Sequence, residues 1–378
     1  MRIRAAVLNE PHSLHIEEVE LDPPKVGEVL VNVAAAGVCH SDLLLADGEL
    51  GDGRWPMVLG HEGAGIVEEI GPGVTGVAPG DPVVFSIVPA CRECVECSRG
   101  RFNLCVPAGE NGVRGTLLDG SSRLGRADGT RLQHGLMTAC FAERTVVAAE
   151  SAIPLTRGIP LWQAALLGCG VVTGFGAVRN AARVQAGESA AVVGCGGVGL
   201  QVLAAARIAG AEPLIAVDRD PIKLELARQR GATHAVESGS AATVARIRRL
   251  TGGGVDYAFE VVGRPETMRL AWDSVRPGGT AVVVGLAPKG IEVALPAIEF
   301  LSDKTIRGSY YGSGDVRTDM TELAALVLSG ELDLEGVVSH VAPLEGVFDA
   351  LDRLRRGQGT RTVLVLDEEL AGISPERQ

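Results

Sequence analysis

The spacing of apolar and polar positions changes character near residue 170 of this 378-residue chain. Before that point, short apolar runs such as EVLVNVAAAGV and GAGIVEEIGPGV are cut by glycine-containing turns, a pattern that predicts a β-rich, barrel-like unit. From about 171 to 310, the short apolar runs AAVVG, LIAVD, VDYAFEVVG and TAVVVG alternate with longer amphipathic stretches. That alternation predicts a parallel sheet covered by helices, hence an α/β fold. Residues 311–378 carry two helical stretches, TDMTELAALVLSG and LEGVFDALDRLRRG, and a closing strand, TRTVLVL, which is expected to return to the first domain. The domains expected are therefore 1–170 with 311–378, and 171–310. A polar, Gly-rich stretch within 106–139 is too long for an ordinary connection and is expected to be a binding loop or lid.

Composition narrows the class. The length suits two domains, and 46 % hydrophobic residues suffice for two cores. No apolar run approaches the roughly 20 residues of a membrane helix, so no membrane partner is expected. The N-terminal MRIRAAVLNE starts on a strand-like alternation without the zones of a secretory signal, giving a cytoplasmic expectation. A formal charge of −12 argues against a nucleic-acid partner.

Eight cysteines in such a chain are read for metal chemistry rather than disulfides. Cys91, Cys94, Cys97 and Cys105 form C-x2-C-x2-C-x7-C. Four thiolates complete a tetrahedral zinc shell and leave no open position, which describes a structural site; sulfur-only ligation also suits an iron–sulfur cluster. Cys39 in GVCHSD, His61 in LGHEGAG and Cys169 in LGCGVVTG are dispersed, and two thiolates with one imidazole make a catalytic zinc set with one position open. Cys140 and Cys195 are read as packing residues.

Residues 194–199 read Gly-Cys-Gly-Gly-Val-Gly between the strand AAVV and a helical stretch, and Asp218 follows at the end of the next strand. Gly194 permits the turn, Gly196 lets backbone approach a pyrophosphate, and Gly199 permits close helix–strand packing, with Gly197 and Val198 opening the helix. Asp218 is suited to the adenosine ribose hydroxyls and repels a 2′-phosphate, which favours NAD over NADP; the neighbouring Arg219 tempers that preference.

GVCHSD, GHEGAGIVEEIGPGV, the four-cysteine stretch, GCGVVTGFGA, VVGCGGVG and GVDYAFEVVG occur in one order along nearly the whole chain. In this the sequence resembles the zinc-dependent medium-chain alcohol dehydrogenases. The resemblance implies a GroES-like β-barrel catalytic domain with a structural zinc lobe, and a Rossmann domain with a doubly wound parallel sheet. It assigns catalytic zinc to Cys39, His61 and Cys169, structural zinc to the four clustered cysteines, and NAD to the glycine loop. It places Asp42 behind the His61 ring, Glu62 behind the zinc, and Ser41 as acceptor of the alcohol proton. His40 and Arg361 are implied at the pyrophosphate, Lys223 at the ribose, and Thr173, Val198 and Leu286 along the nicotinamide. Ile87, Leu117, Leu286 and Tyr310 are implied in the substrate pocket. A homodimer joined through the Rossmann sheets is the implied assembly.

Two departures matter. Leu44 stands where many relatives carry a relay histidine, and it cannot accept a proton. Ile87 replaces a frequent aromatic in a chain holding seven Phe, three Trp and three Tyr, so the pocket is expected to admit bulky, hydrophobic primary alcohols or their aldehydes. The alternative is a thiol-dependent formaldehyde dehydrogenase, suggested by GSYYGS and the Cys39–His61 spacing. Glutathione use conflicts with Gly109 and Leu50, where that subgroup has an arginine and an acid; another thiol such as mycothiol stays open. A non-catalytic nucleotide-binding protein and an NADP-linked reductase are the remaining readings.

Overall fold

The computed structural model describes residues 1–50, 55–239 and 242–373. The chain divides into two compact units, Met1–Gly170 with Asp315–Gln378, and Val171–Gly314.

In the first unit, strands Arg2–Leu8, Leu14–Leu21, Leu124–Gly125, Arg131–His134 and Met57–Val58 close into a small barrel. Its interior is filled by Ile3, Val7, Leu21, Leu124 and Leu132. Here the structure departs from the expected lid. Residues 106–139 form a helix, Val106–Arg114, with Pro107 in its first turn and Gly115 ending it at φ +70°, followed by two strands that close the barrel. Leu117 is fully buried in the barrel interior, so it is a core residue and not a pocket wall. The polar character of the stretch has a physical use. Arg123 is buried, and its guanidinium bonds the buried Glu28 carboxylate and, at 2.7 Å, Asp119.

The second sheet of this unit runs Ala152–Pro154, Pro82–Phe85, Glu62–Ile70, Glu28–Val38, Thr362–Val365 and His340–Pro343, with Arg144–Ala148 also pairing Glu28–Val38. Glu28–Val38 is buried at every position but Asn32, as befits a strand covered on both faces. The late strand Thr362–Val365 pairs with it antiparallel, Thr362 opposite Val38, which seats residue 361 beside residue 39.

The second unit is a six-stranded parallel sheet in the order His234–Glu237, Leu214–Asp218, Ala190–Val193, Val255–Glu260, Val275–Val283 and Thr305–Gly308. Numbered along the sequence that order is 3-2-1-4-5-6, the doubly wound arrangement whose first strand-to-helix turn binds dinucleotides. Cys195 lies buried in that turn, and Cys140 is buried in the core of the first unit. Among the described residues no single helix is long and apolar enough to cross a membrane.

Candidate metal centres and dinucleotide loop

Cys39 follows the strand Glu28–Val38 and caps the helix His40–Ala46. His61 precedes the strand Glu62–Ile70, and Cys169 follows the turn Ala165–Gly168. That turn approaches the sheet closely, since a methyl group on Gly168 would lie 2.8 Å from the Phe85 carbonyl. The three buried residues bring one ligand atom each to within 4.8 Å of the others.

Asp42 organises two of the three. Its Oδ1 accepts from His61 Nδ1 at 2.9 Å, and its Oδ2 accepts the Cys39 backbone N–H at 3.0 Å. The first bond leaves Nε2 as the donor atom of the imidazole, and Nε2 is buried with no hydrogen-bond partner. A buried, unpartnered imidazole nitrogen is costly unless something binds it. Beside two cysteine sulfurs that something fits zinc, with a carboxylate fixing the tautomer from behind. The bond to the Cys39 amide was not anticipated from sequence. Its signal was present in the Cys39-x-x-Asp42 spacing, which is that of a helix capping box.

Charge accumulates behind the triad. Glu62 is buried, its Oε1 accepts the Gly170 N–H at 3.3 Å, and its Oε2 lies 3.1 Å from Arg361 Nη1. Burial pushes the Glu62 carboxyl up to about 7 against the opposing pull of Arg361. The hydrogen bond from Cys169, with Arg361 and His61 alongside, holds the Cys39 thiol well below its usual range. Arg361 is only 6 % exposed and also donates to the Val38 carbonyl at 3.2 Å. The structure thus seats Arg361 beside the metal ligands, paired with Glu62.

Cys91, Cys94, Cys97 and Cys105 likewise bring their sulfurs within 4.8 Å of one another. Backbone N–H groups point at the sulfurs: Cys94 to Cys91 at 3.4 Å, Val106 to Cys94 at 3.4 Å and Cys91 to Cys105 at 3.3 Å. Such donors favour thiolates, and those on Cys94, led by the Cys97 amide, draw its thiol down to about 6. The donor set fits a closed zinc site.

In the second unit Gly194 adopts φ +102°, and a methyl group on Gly199 would sit 1.8 Å from the Gly194 carbonyl, so both glycines are structural requirements. Gly196 differs: a methyl group there meets nothing within 4 Å, leaving an open cradle at the start of the helix Gly197–Ile208. That combination fits a pyrophosphate. Asp218 accepts the Cys195 N–H at 2.7 Å and the Asp220 N–H at 2.9 Å, which holds its carboxylate at the rim of the loop. Arg219 and His40 are exposed, and Thr173, Ser41, Lys223 and Ile87 are half-buried. Leu286 and Tyr310 are 44 % and 54 % exposed, while Leu44 is buried.

Comparison with known proteins agrees with this geometry. Residues 25–157 match an alcohol dehydrogenase GroES-like domain, and residues 197–329 match a zinc-binding dehydrogenase domain. S-(hydroxymethyl)glutathione dehydrogenase of Photobacterium damsela subsp. piscicida is 39 % identical, covering 96 % of this chain and all of the relative. A zinc-binding alcohol dehydrogenase domain protein from Burkholderia ambifaria superposes with a TM-score of 0.91 at 36 % identity, covering 97 % of this chain and 99 % of the other. Benzyl alcohol dehydrogenase from Acinetobacter calcoaceticus superposes with a TM-score of 0.90 at 33 % identity and the same coverage. The chain belongs to the zinc-dependent medium-chain dehydrogenase/reductase family, and it is an NAD-dependent oxidoreductase with sites for structural and catalytic zinc.

Proposed function

We propose that this dehydrogenase interconverts bulky, hydrophobic primary alcohols and their aldehydes. Cys39, His61 and Cys169 hold the catalytic zinc, which supplies Lewis acidity toward a bound hydroxyl group. The other residues act by placement. Asp42 fixes the His61 tautomer, and Arg361 partly neutralises Glu62 so that a second carboxylate can stand behind two thiolates. Ser41, two residues after Cys39, accepts the alcohol proton. As it accepts, Ser41 gives up its own hydroxyl proton, and because buried Leu44 offers no side-chain acceptor, that proton passes to water. In the second unit Gly194, Gly196, Gly197, Val198 and Gly199 cradle the NAD pyrophosphate, and Asp218 with Lys223 takes the adenosine ribose. Thr173, Val198 and Leu286 lie along the nicotinamide, and Ile87, Leu286 and Tyr310 border the substrate.

The observation that carries the substrate choice is position 109, where glycine has no side chain and therefore supplies no cation for a glutathione carboxylate. The benzyl alcohol dehydrogenase neighbour supports the bulky-alcohol reading. The curated relatives that act on S-(hydroxymethyl)glutathione support a second reading, a formaldehyde dehydrogenase using a different thiol. The test is initial-rate NADH formation across short, long-chain and aromatic primary alcohols, and with formaldehyde plus and minus glutathione or mycothiol. Fast turnover of aromatic or long-chain alcohols without thiol supports the first reading. Turnover confined to formaldehyde with thiol establishes the second, and fast ethanol turnover with poor turnover of all bulky alcohols removes the first.

We further expect a cytoplasmic homodimer. Ile298, Phe300 and Leu301 are 73 %, 44 % and 82 % exposed just before the edge strand Thr305–Gly308, an apolar border suited to a second copy.

A further inference from the structure

The ring of His61 is fixed from one side by Asp42, but the backbone from which that ring springs is fixed by a different part of the barrel unit. The Gly60 carbonyl shares a peptide plane with the His61 amide. That carbonyl accepts two hydrogen bonds, from the Thr138 hydroxyl at 2.9 Å and from the Cys140 N–H at 3.0 Å. Both lone pairs are then used, so the plane is held in two directions. Phe141 N–H donates to the Leu59 carbonyl at 2.9 Å in the same register, and Gly60 lies so close that an added methyl group would sit 2.4 Å from Phe141 N. Gly60 itself takes φ +95°, which only glycine adopts without strain.

The segment supplying these donors carries strain. Leu136, Met137 and Ala139 have φ of 46°, 66° and 49°, left-handed conformations that cost free energy in residues other than glycine. Such conformations persist only where the surroundings impose them, and they gather at functional sites. The Thr145 hydroxyl braces the middle of the segment by donating to the Thr138 carbonyl at 2.6 Å. Thr138 and Thr145 are both fully buried. A bare packing role would need neither the hydroxyl nor the strained path that delivers it to a carbonyl one residue from a metal ligand.

We infer that Thr138 is a positioning residue for the catalytic metal ligand His61, acting through the Gly60 carbonyl. This rests on zinc binding at Cys39, His61 and Cys169. Asp42 sets the rotation of the ring, and Thr138 sets where its stem begins, so the two constraints together bring Nε2 to the cysteine sulfurs.

The test uses the full-length, zinc-loaded protein and the near-isosteric Thr138→Val, with Thr138→Ser as the variant that keeps the hydroxyl. Zinc content is followed against graded chelator, and the cobalt-substituted protein is followed by visible absorption. Thr138→Val is expected to weaken the catalytic zinc about tenfold, as loss of a group supporting a metal ligand does, and to shift the cobalt bands, while the four-cysteine zinc stays in place. Thr138→Ser is expected to stay within about twofold of the parent. A lower melting temperature in Thr138→Val with unchanged zinc affinity and unchanged cobalt bands would overturn the inference. If Thr138→Val does not accumulate folded, Thr145→Val carries the same comparison through the brace alone, with an expected loss of about threefold, and an unchanged affinity there overturns it equally. A parent protein that binds one zinc per chain and whose cobalt form shows only the bands of an all-thiolate site defeats the metal reading itself, and is seen before any variant is made.

Discussion

Replacing Asp42 by asparagine changes one atom and breaks a shared anchor. The carboxylate accepts from two buried donors, His61 Nδ1 at 2.9 Å and Cys39 N–H at 3.0 Å. An amide of the same shape has one acceptor oxygen, so its NH2 must face whichever donor the oxygen does not take. Two N–H groups then confront each other in a place where Asp42 is fully buried. An unsatisfied buried donor costs about 1–3 kcal/mol. Loss of a carboxylate behind a metal-bound imidazole costs about 10–100-fold in metal affinity, or about 1.4–2.7 kcal/mol, so the two estimates agree in size. The assay is dialysis against graded chelator with zinc counted per chain and thiol-free alcohol oxidation followed in parallel. The four-cysteine zinc, which Asp42 does not touch, is the internal control. Asp42→Asn is expected to fall from two zincs towards one at chelator concentrations that leave the parent intact, and to lose activity in step. Both zincs released at the parental midpoint would refute the reasoning, because the carboxylate would then be neither fixing the tautomer nor holding the Cys39 backbone.

Three further outcomes are expected. Gly196→Ala should fold with parental stability, because the added methyl group meets nothing within 4 Å, yet raise KM for NAD at least about tenfold by filling the pyrophosphate cradle; unchanged KM counts against the cradle. Burial, reinforced by Arg123, pushes buried His134 down to about 3, while the unfolded chain takes up the proton near about 6.5. The native state therefore excludes a proton that the unfolded state binds, so this stability is fully present above about pH 6.5 and is lost as pH falls, by about 1.4 kcal/mol per unit down to about pH 3. His134→Gln should flatten that acid limb by one proton in denaturant titrations, and an unchanged slope contradicts the assignment. Sedimentation should give a dimer that Leu301→Glu dissociates, since the substitution buries a charge at the apolar border, and a parental monomer excludes it.

What sequence could and could not convey follows from the range of each interaction. The metal ligands and the glycine loop were legible because each sits in a contiguous motif whose residue types have few other uses. GVCHSD even encodes the second bond of Asp42 in its spacing. The barrel closure over residues 106–139 was not legible, since strands as short as Leu124–Gly125 show no periodicity and the buried Arg123 reads as a surface cation. Leu117 was misplaced for the same reason: with no strand recognised, nothing marked it as interior. The location of Arg361 depended on Thr362 pairing with Val38, a long-range register that no local pattern specifies. The Gly60–Thr138 contact escaped likewise, because it joins two turns distant in the chain.

The account holds most directly to a zinc titration of stripped protein. Zinc is added back in steps while NADH formation from an aromatic primary alcohol is followed without any thiol. Activity is expected to appear with the second equivalent and to saturate at two zincs per chain, as a closed four-cysteine site and an open Cys39–His61–Cys169 site require. Full activity at one zinc per chain, or rates that appear only when formaldehyde and a thiol are supplied, would contradict it.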